Sequence, residues 1–166
     1  MLDVSTRLVD KSLVAVDLTD EPEPRYRLLE PLRDFAAAMN DTGEATALRG
    51  RHLEYFIDVA ERAAPALLGG PDQSQTLAQV GADHQNFLAA LHACGLVNDG
   101  ALLALRLAGS IWRFWYVRGY LSLGRDRLAS ALALPGAERP TPERALGLYA
   151  AGGLAILQEI FRPHRG

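Results

Sequence analysis

The sequence predicts a mainly α-helical protein with one β-hairpin near its start. Three observations carry that prediction. Alanine and leucine, both strong helix formers, dominate the composition. The β-rich run is Leu13-Val14-Ala15-Val16-Asp17-Leu18, and β-branched residues are scarce beyond the first twenty positions. After Leu29 the apolar residues recur at helical spacing and no strand pattern appears.

The elements follow in order. Asp3 to Val9 forms a brief helix, with Leu2, Val4, Leu8 and Val9 available for one face. Lys11-Ser12 breaks it before the first strand. Thr19 to Pro24 holds two prolines and three acids, which favours an exposed turn. Arg25 to Leu29 returns as a second strand, with Tyr26 and Leu28 on one face and Arg25 and Arg27 on the other. Two strands alone are marginal in water, so the hairpin needs a helix to lie on. Pro31 suits a first helical turn, and Leu32, Phe35, Ala36 and Met39 then make a single apolar stripe. The next helix is expected from about Glu44 to Ala64, with Leu48, Tyr55, Phe56, Val59, Ala60 and Ala63 inward. Pro65 and Gly69-Gly70-Pro71 are expected to close it, and Asp58 and Arg62 sit one turn apart on its wet side. A fourth helix is expected from Thr76 to Cys94, carrying Leu77, Val80, Phe87, Leu88 and Leu91. The most apolar helix covers Ala101 to Arg118, with Leu103, Leu107, Ile111, Phe114 and Trp115 on one side. Gly119 punctuates it, Tyr120 to Leu134 is a sixth, and Pro135-Gly136 and Pro140 mark a loop. Thr141-Pro142-Glu143 offers a capping hydroxyl, a first-turn proline and an acid near the positive end of a last helix reaching about Phe161.

With 166 residues the chain has room for one ordinary domain or two small ones, and 49% hydrophobic with 22% charged residues is a globular composition. A net charge of −3 and a pI near 5.8 create no global field for nucleic acid or anionic lipid. Cys94 is the sole cysteine, which excludes an internal disulfide and any cysteine-rich metal site. No apolar run approaches the roughly 18 residues of a membrane span. Met1-Leu2-Asp3-Val4 lacks the basic start of a signal peptide. A cytoplasmic protein with no membrane partner is expected.

The hairpin and its flanking helices read as the C-terminal half of a winged-helix domain at 1–40, followed over 44–166 by paired helices. In that second region Leu107-Ala108-Gly109-Ser110-Ile111-Trp112, then Gly119-Tyr120, Gly124, Leu128, Ala131-Leu132 and Pro135, alternate small and large residues. That spacing matches the interlock of a tetratricopeptide-type hairpin, in which small residues let backbones approach. A second copy starts near Ala145, with Ala150, Gly152, Leu154 and Ala155. Its offset from Trp112 to Gly152, about 40 residues, exceeds the usual ~34. The predicted fold is therefore mainly α: a partial winged helix, then an α-helical, tetratricopeptide-like hairpin array that is incomplete at its C-terminus.

Leu8-Val9-Asp10-Lys11-Ser12-Leu13-Val14, Arg25 to Ala36 (Arg-Tyr-Arg-Leu-Leu-Glu-Pro-Leu-Arg-Asp-Phe-Ala) and Leu48-Arg49-Gly50-Arg51-His52 occur in that order. They are followed by Asp83-His84-Gln85-Asn86-Phe87-Leu88, then Phe114 to Tyr120 and Gly124-Arg125. Together they resemble the region joining the winged helix to the helical repeats in bacterial STAND-type regulatory ATPases, among the LuxR-like and AfsR-like transcriptional regulators. The resemblance runs to about Gln158. It implies a non-catalytic regulatory and protein-interaction segment that couples a nucleotide-driven switch to a sensor surface, with a protein partner or the rest of a longer regulator beside it. No Gly-x-x-x-x-Gly-Lys-[Ser/Thr] occurs, so the segment is expected to lack the ATPase core and to need no cofactor. A fragment of a longer regulator is the expectation. The alternative is a DNA-binding winged-helix transcription factor.

Trp112, Arg113, Trp115, Tyr116, Arg118 and Tyr120, with Arg125 and Arg127 nearby, form the candidate partner-contact surface, since aromatics interleaved with arginines stack on bases or grip acidic partners. Against it, the rings can pack between hairpins while Arg113, Arg125 and Arg127 face water. His84, His92 and Cys94 share one predicted helix but do not converge as metal ligands. Glu54, Asp58 and Glu61 read as a solvated face rather than a catalytic pair. Lys11, Ser12, Arg25 and Arg27 could touch a DNA backbone, yet only a stub precedes the hairpin where a recognition helix would lie. No catalytic, cofactor or metal site is assigned, and no enzyme activity is expected. Leu146, Leu148, Tyr149, Leu154, Ile156, Leu157, Ile160 and Phe161 surround most of the last helix, so self-association through exposed apolar ends is expected.

Overall fold

A computed structural model gives the protein's fold over residues 2–17, 25–28 and 43–160. It is mainly α-helical with a β-hairpin. The chain divides into two units, Met1–Thr46 and Ala47–Gly166.

In the first unit, helix α1 (Leu2–Asp10) stops where Ser12 turns left-handed at φ 55°. Ser12 N–H donates to Val9 O at 2.8 Å and Leu13 N–H to Leu8 O at 2.9 Å, the paired reverse bonds that satisfy the last helical carbonyls. Strands β1 (Val14–Asp17) and β2 (Arg25–Leu28) pair antiparallel, with Val14 opposite Leu28 and Val16 opposite Tyr26. Those four share one face, as the alternation in the sequence predicts. The predicted acidic turn at 19–24 and the helix from Pro31 to Met39 lie outside the described residues.

The second unit is helical. Helix α2 (Gly43–Leu67) runs through Pro65, where the sequence predicts its end. Proline removes one amide donor, and here only the last turn remains beyond it. Leu68 N–H reaches back to Pro65 O and Gly69 N–H to Ala66 O, so the end tightens rather than breaking at the ring. Its buried face is also rotated from the expected one. Leu53, Phe56, Ile57, Ala60 and Leu67 are buried, whereas Leu48 and Tyr55 are exposed. Phe56 and Ala60 belong to both the expected and the observed face, and Phe56 packs edge-on to Phe87.

Helices α3 (Gln73–Ala82) and α4 (His84–Cys94) replace the single helix expected from Thr76 to Cys94. The break is Asp83, at φ −96° and ψ 8°. Its carboxylate accepts a hydrogen bond from Asn86 Nδ2, and its carbonyl accepts those of Asn86 and Phe87 N–H. The new helix thus starts without glycine or proline, its first-turn amides bonded to the Asp83 backbone carbonyl and the Asp83 side chain bonded to that of Asn86. Gln73 Nε2 meanwhile donates to Leu67 O, covering the end of α2.

Helix α5 (Gly100–Arg118) is the hub, packing against α3, α4, helix α6 (Leu121–Leu132) and helix α7 (Pro142–Ile160). Leu105, Leu107, Ala108, Ile111, Phe114 and Trp115 on it are buried almost completely. Three glycines set the closeness of that packing. A Cβ on Gly109 would lie 2.9 Å from Leu146 Cδ2, one on Gly147 2.8 Å from Leu105 Cδ2, and one on Gly124 2.7 Å from Leu154 Cδ1. Helix α5 ends at Gly119, φ 75°, with Tyr120 N–H donating to Trp115 O at 2.9 Å. Thr141 Oγ1 accepts Arg144 N–H at 3.2 Å and caps α7, as the Thr-Pro-Glu pattern predicts.

Candidate functional site

The six residues of the candidate surface do not share one surface. Trp115 is fully buried and belongs to the core, which corrects its assignment as a contact residue. A bulky ring in the last turn of the buried hub helix stabilises the fold more by leaving water than by waiting for a partner. Its indole Nε1–H donates to His84 Nε2 at 3.0 Å, tying α5 to the first turn of α4. The His84 ring stacks on Tyr120, which is itself 47% exposed, with centroids 5.4 Å apart and planes within 8° of parallel. Phe114 completes this cluster, 5.1 Å from His84 and 5.8 Å from Tyr120.

Trp112, Arg113 and Tyr116 form a second cluster. The Arg113 guanidinium lies 4.4 Å from the Tyr116 ring centroid and 5.2 Å from that of Trp112. Trp112 also meets Tyr149 of α7 edge-on at 5.6 Å, and Tyr149 is well exposed. A cation held against two ring faces is attracted by their negative quadrupoles. Arg113 Nε is nevertheless buried without a hydrogen-bond partner among the described residues. Arg118 is exposed at the end of α5.

The other arginines also separate. Arg125 donates to Gln158 Oε1 while Gln158 Nε2 donates to Ser122 Oγ at 2.9 Å, binding α6 to α7. Arg127 does not face open water as expected: it is half-buried, and its Nε is covered and unpartnered among the described residues. It is a folded-in cation because α6 carries it onto the edge of a cleft shared with α4.

The metal and carboxylate candidates are scattered by the fold. His84 is bonded to Trp115, His92 is exposed and Cys94 is buried. Among the described residues no three histidine, cysteine or acidic side chains come together as metal ligands. Glu61 holds Arg106 of α5 in a two-point fork at 2.7 and 2.9 Å, and Asp58 pairs with Arg62. Glu54 is exposed. Lys11 and Ser12 are exposed beside the hairpin. Among the described residues no helix is long and apolar enough to cross a membrane.

Sequence reasoning missed the His84–Trp115 bond, because a 31-residue separation carries no periodic signal. The bond has a measurable consequence. Burial, and secondarily the Arg127 charge, lower the His84 pKa from its usual 6.5, and burial lowers that of His52. Both therefore favour the neutral ring in the folded chain, and His84 Nε2 must be unprotonated to accept from Trp115. Stability is then complete above 6.5. It falls as pH drops through that value, and it levels off once pH is below the lowered folded-state pKa. Urea midpoints measured across this range should follow that curve. His84→Gln should reduce the slope to the His52 part, and an unchanged slope would remove His84 from the account.

Comparison with known proteins adds a separate line. The chain is similar to HTH-type transcriptional regulators of Mycobacterium tuberculosis and Mycobacterium bovis, at 36% identity over 136 residues. The match covers 80% of this chain and 14% of each relative's length. No family model matches the chain, and no solved structure does.

Proposed function

We propose that the chain acts in transcription regulation, as a non-catalytic interaction segment of an HTH-type regulator. The similarity to mycobacterial HTH-type regulators across most of the chain supports transcription regulation, and the relatives' name favours the DNA-binding reading below more than the interaction role. The helical unit supports that role: rigid helices present side chains at fixed spacings, as a segment that relays contact between other parts requires. In the finer form of the proposal the helices are tetratricopeptide-like, and the segment couples a STAND-type nucleotide switch to a sensor surface in the cytoplasm. Partner contact, including self-association, is assigned to the exposed Leu148, Tyr149, Ile156 and Ile160 of α7.

A second reading is favoured by the relatives' own name, since HTH-type regulators read DNA. In this chain it would fall to the hairpin unit, where Lys11 and Ser12 are exposed. A mobility-shift assay over a salt series separates the two. The interaction reading expects no retardation of duplex DNA even at low salt. Binding that weakens steeply as salt rises would replace it with the DNA-binding reading, because each neutralised phosphate releases counterions.

A further inference from the structure

Helices α4 and α6 both lean on α5 and leave between them a cleft of about 200 Å³. Ala104 lines it from α5, Leu91 and His92 from α4, and Arg127, Ser130 and Ala131 from α6, with Leu134 just beyond that helix. None of its lining residues is acidic. Arg127 thus brings a permanent positive charge to a small, largely apolar recess, and its Nε–H is covered without an acceptor among the described residues. Nε itself is closed to an occupant of the cleft, but the terminal guanidinium nitrogens are not among the covered, unpartnered atoms, and a carboxylate is the strongest ordinary complement of a guanidinium. Ser130 does not supply that complement: its hydroxyl donates to Asp126 O at 2.8 Å, and a neutral hydroxyl oxygen does not balance a guanidinium charge. His92, exposed at the lip, adds a second possible donor. The leucines and alanines beside the guanidinium suit a short aliphatic stem, and the volume suits a group of few heavy atoms.

We propose that the cleft between α4 and α6 binds an aliphatic carboxylate, with Arg127 as the group that recognises the anion. The same chemistry has two sources, a free short-chain acid or a glutamate side chain of a partner segment. The cleft would take either whether or not the chain serves a transcriptional regulator.

The Trp115–His84 pair provides the readout. Arg127 helps to hold the His84 pKa low, so an anion that neutralises Arg127 should let His84 titrate closer to 6.5. The full chain would be titrated by NMR with butyrate, with a capped Glu-containing tripeptide, and with butyramide as a neutral control of the same shape. Expected is a saturable shift of the Trp115 indole N–H and a raised His84 pKa with an anionic probe, and neither with butyramide. Response to butyrate identifies a free-acid site, and response to the peptide alone identifies a side-chain site. Arg127→Gln should weaken binding about tenfold or more, and Arg127→Lys less, since the charge stays while the planar guanidinium fork is lost. Silence toward both anions, a butyramide response equal to that of butyrate, or an Arg127→Gln protein that responds like the parent would overturn the proposal. Should Arg127→Gln not fold, the comparison of butyrate with butyramide on the unaltered chain still decides it.

Discussion

Trp115→Ala is expected to destabilise the protein by about 3–5 kcal/mol, a large part of the total stability of a small domain. Trp115 is fully buried, and its ring lies against Gly124, where an added Cβ would sit 3.0 Å from Trp115 Cε3. Truncation therefore opens a void where α5 meets α6, and neighbouring side chains can fill it only in part. It also removes the donor to His84 Nε2. Trp115→Phe is the milder change, because it keeps most of the apolar volume while deleting the N–H and the packing that the smaller ring no longer makes, at about 1–3 kcal/mol. Urea denaturation followed by circular dichroism would check both. A loss below that of Trp115→Phe for the alanine variant would mean that Trp115 is not a keystone of the core.

Gly100→Ala is expected to be the most damaging glycine substitution. A Cβ there would fall 1.8 Å from the Cys94 carbonyl oxygen and 2.9 Å from its carbon. Those are backbone atoms at the end of α4, so no side chain can rotate aside. The loop between α4 and α5 must shift instead, at about 3 kcal/mol, the upper part of the usual overpacking range. Gly152→Ala is the contrast, since nothing lies within 4 Å of its Cβ position. In the middle of α7 alanine should there raise stability by about 0.5–1 kcal/mol through helix propensity alone. Opposite signs for the same chemical change would be read directly from denaturation midpoints.

Much of the fold was legible because local chemistry and periodicity agree. Val14, Val16, Tyr26 and Leu28 alternate as a hairpin face must, and they share one. Thr141 stands before a first-turn proline and caps α7. Leu77, Val80, Phe87 and Leu91 are spaced for burial and are buried. Other features depended on contacts that sequence spacing does not carry. On α2 burial falls on Leu53 and Ile57 rather than on Leu48 and Tyr55, a choice between adjacent apolar stripes that spacing alone does not make. The division at Asp83 used a side chain that is also tolerated within helices. Of the candidate surface, the aromatic and basic composition was visible, but not its partition. Trp115 entered the core, Arg113 lay across Trp112 and Tyr116, and Tyr120 stacked on a histidine from another helix. Arg127 was legible only as one arginine among several, since its significance comes from the cleft that α6 brings it to.

The thiol at the end of α4 acts as a built-in stopwatch. Cys94 is buried, its Sγ donates to Ala90 O at 3.4 Å, and burial pushes its pKa up to about 11. It is the chain's single sulfhydryl, so an alkylating reagent has no competing target. Reagent uptake then clocks how often the helices around α5 part, without a dye, a mutation or a denaturant.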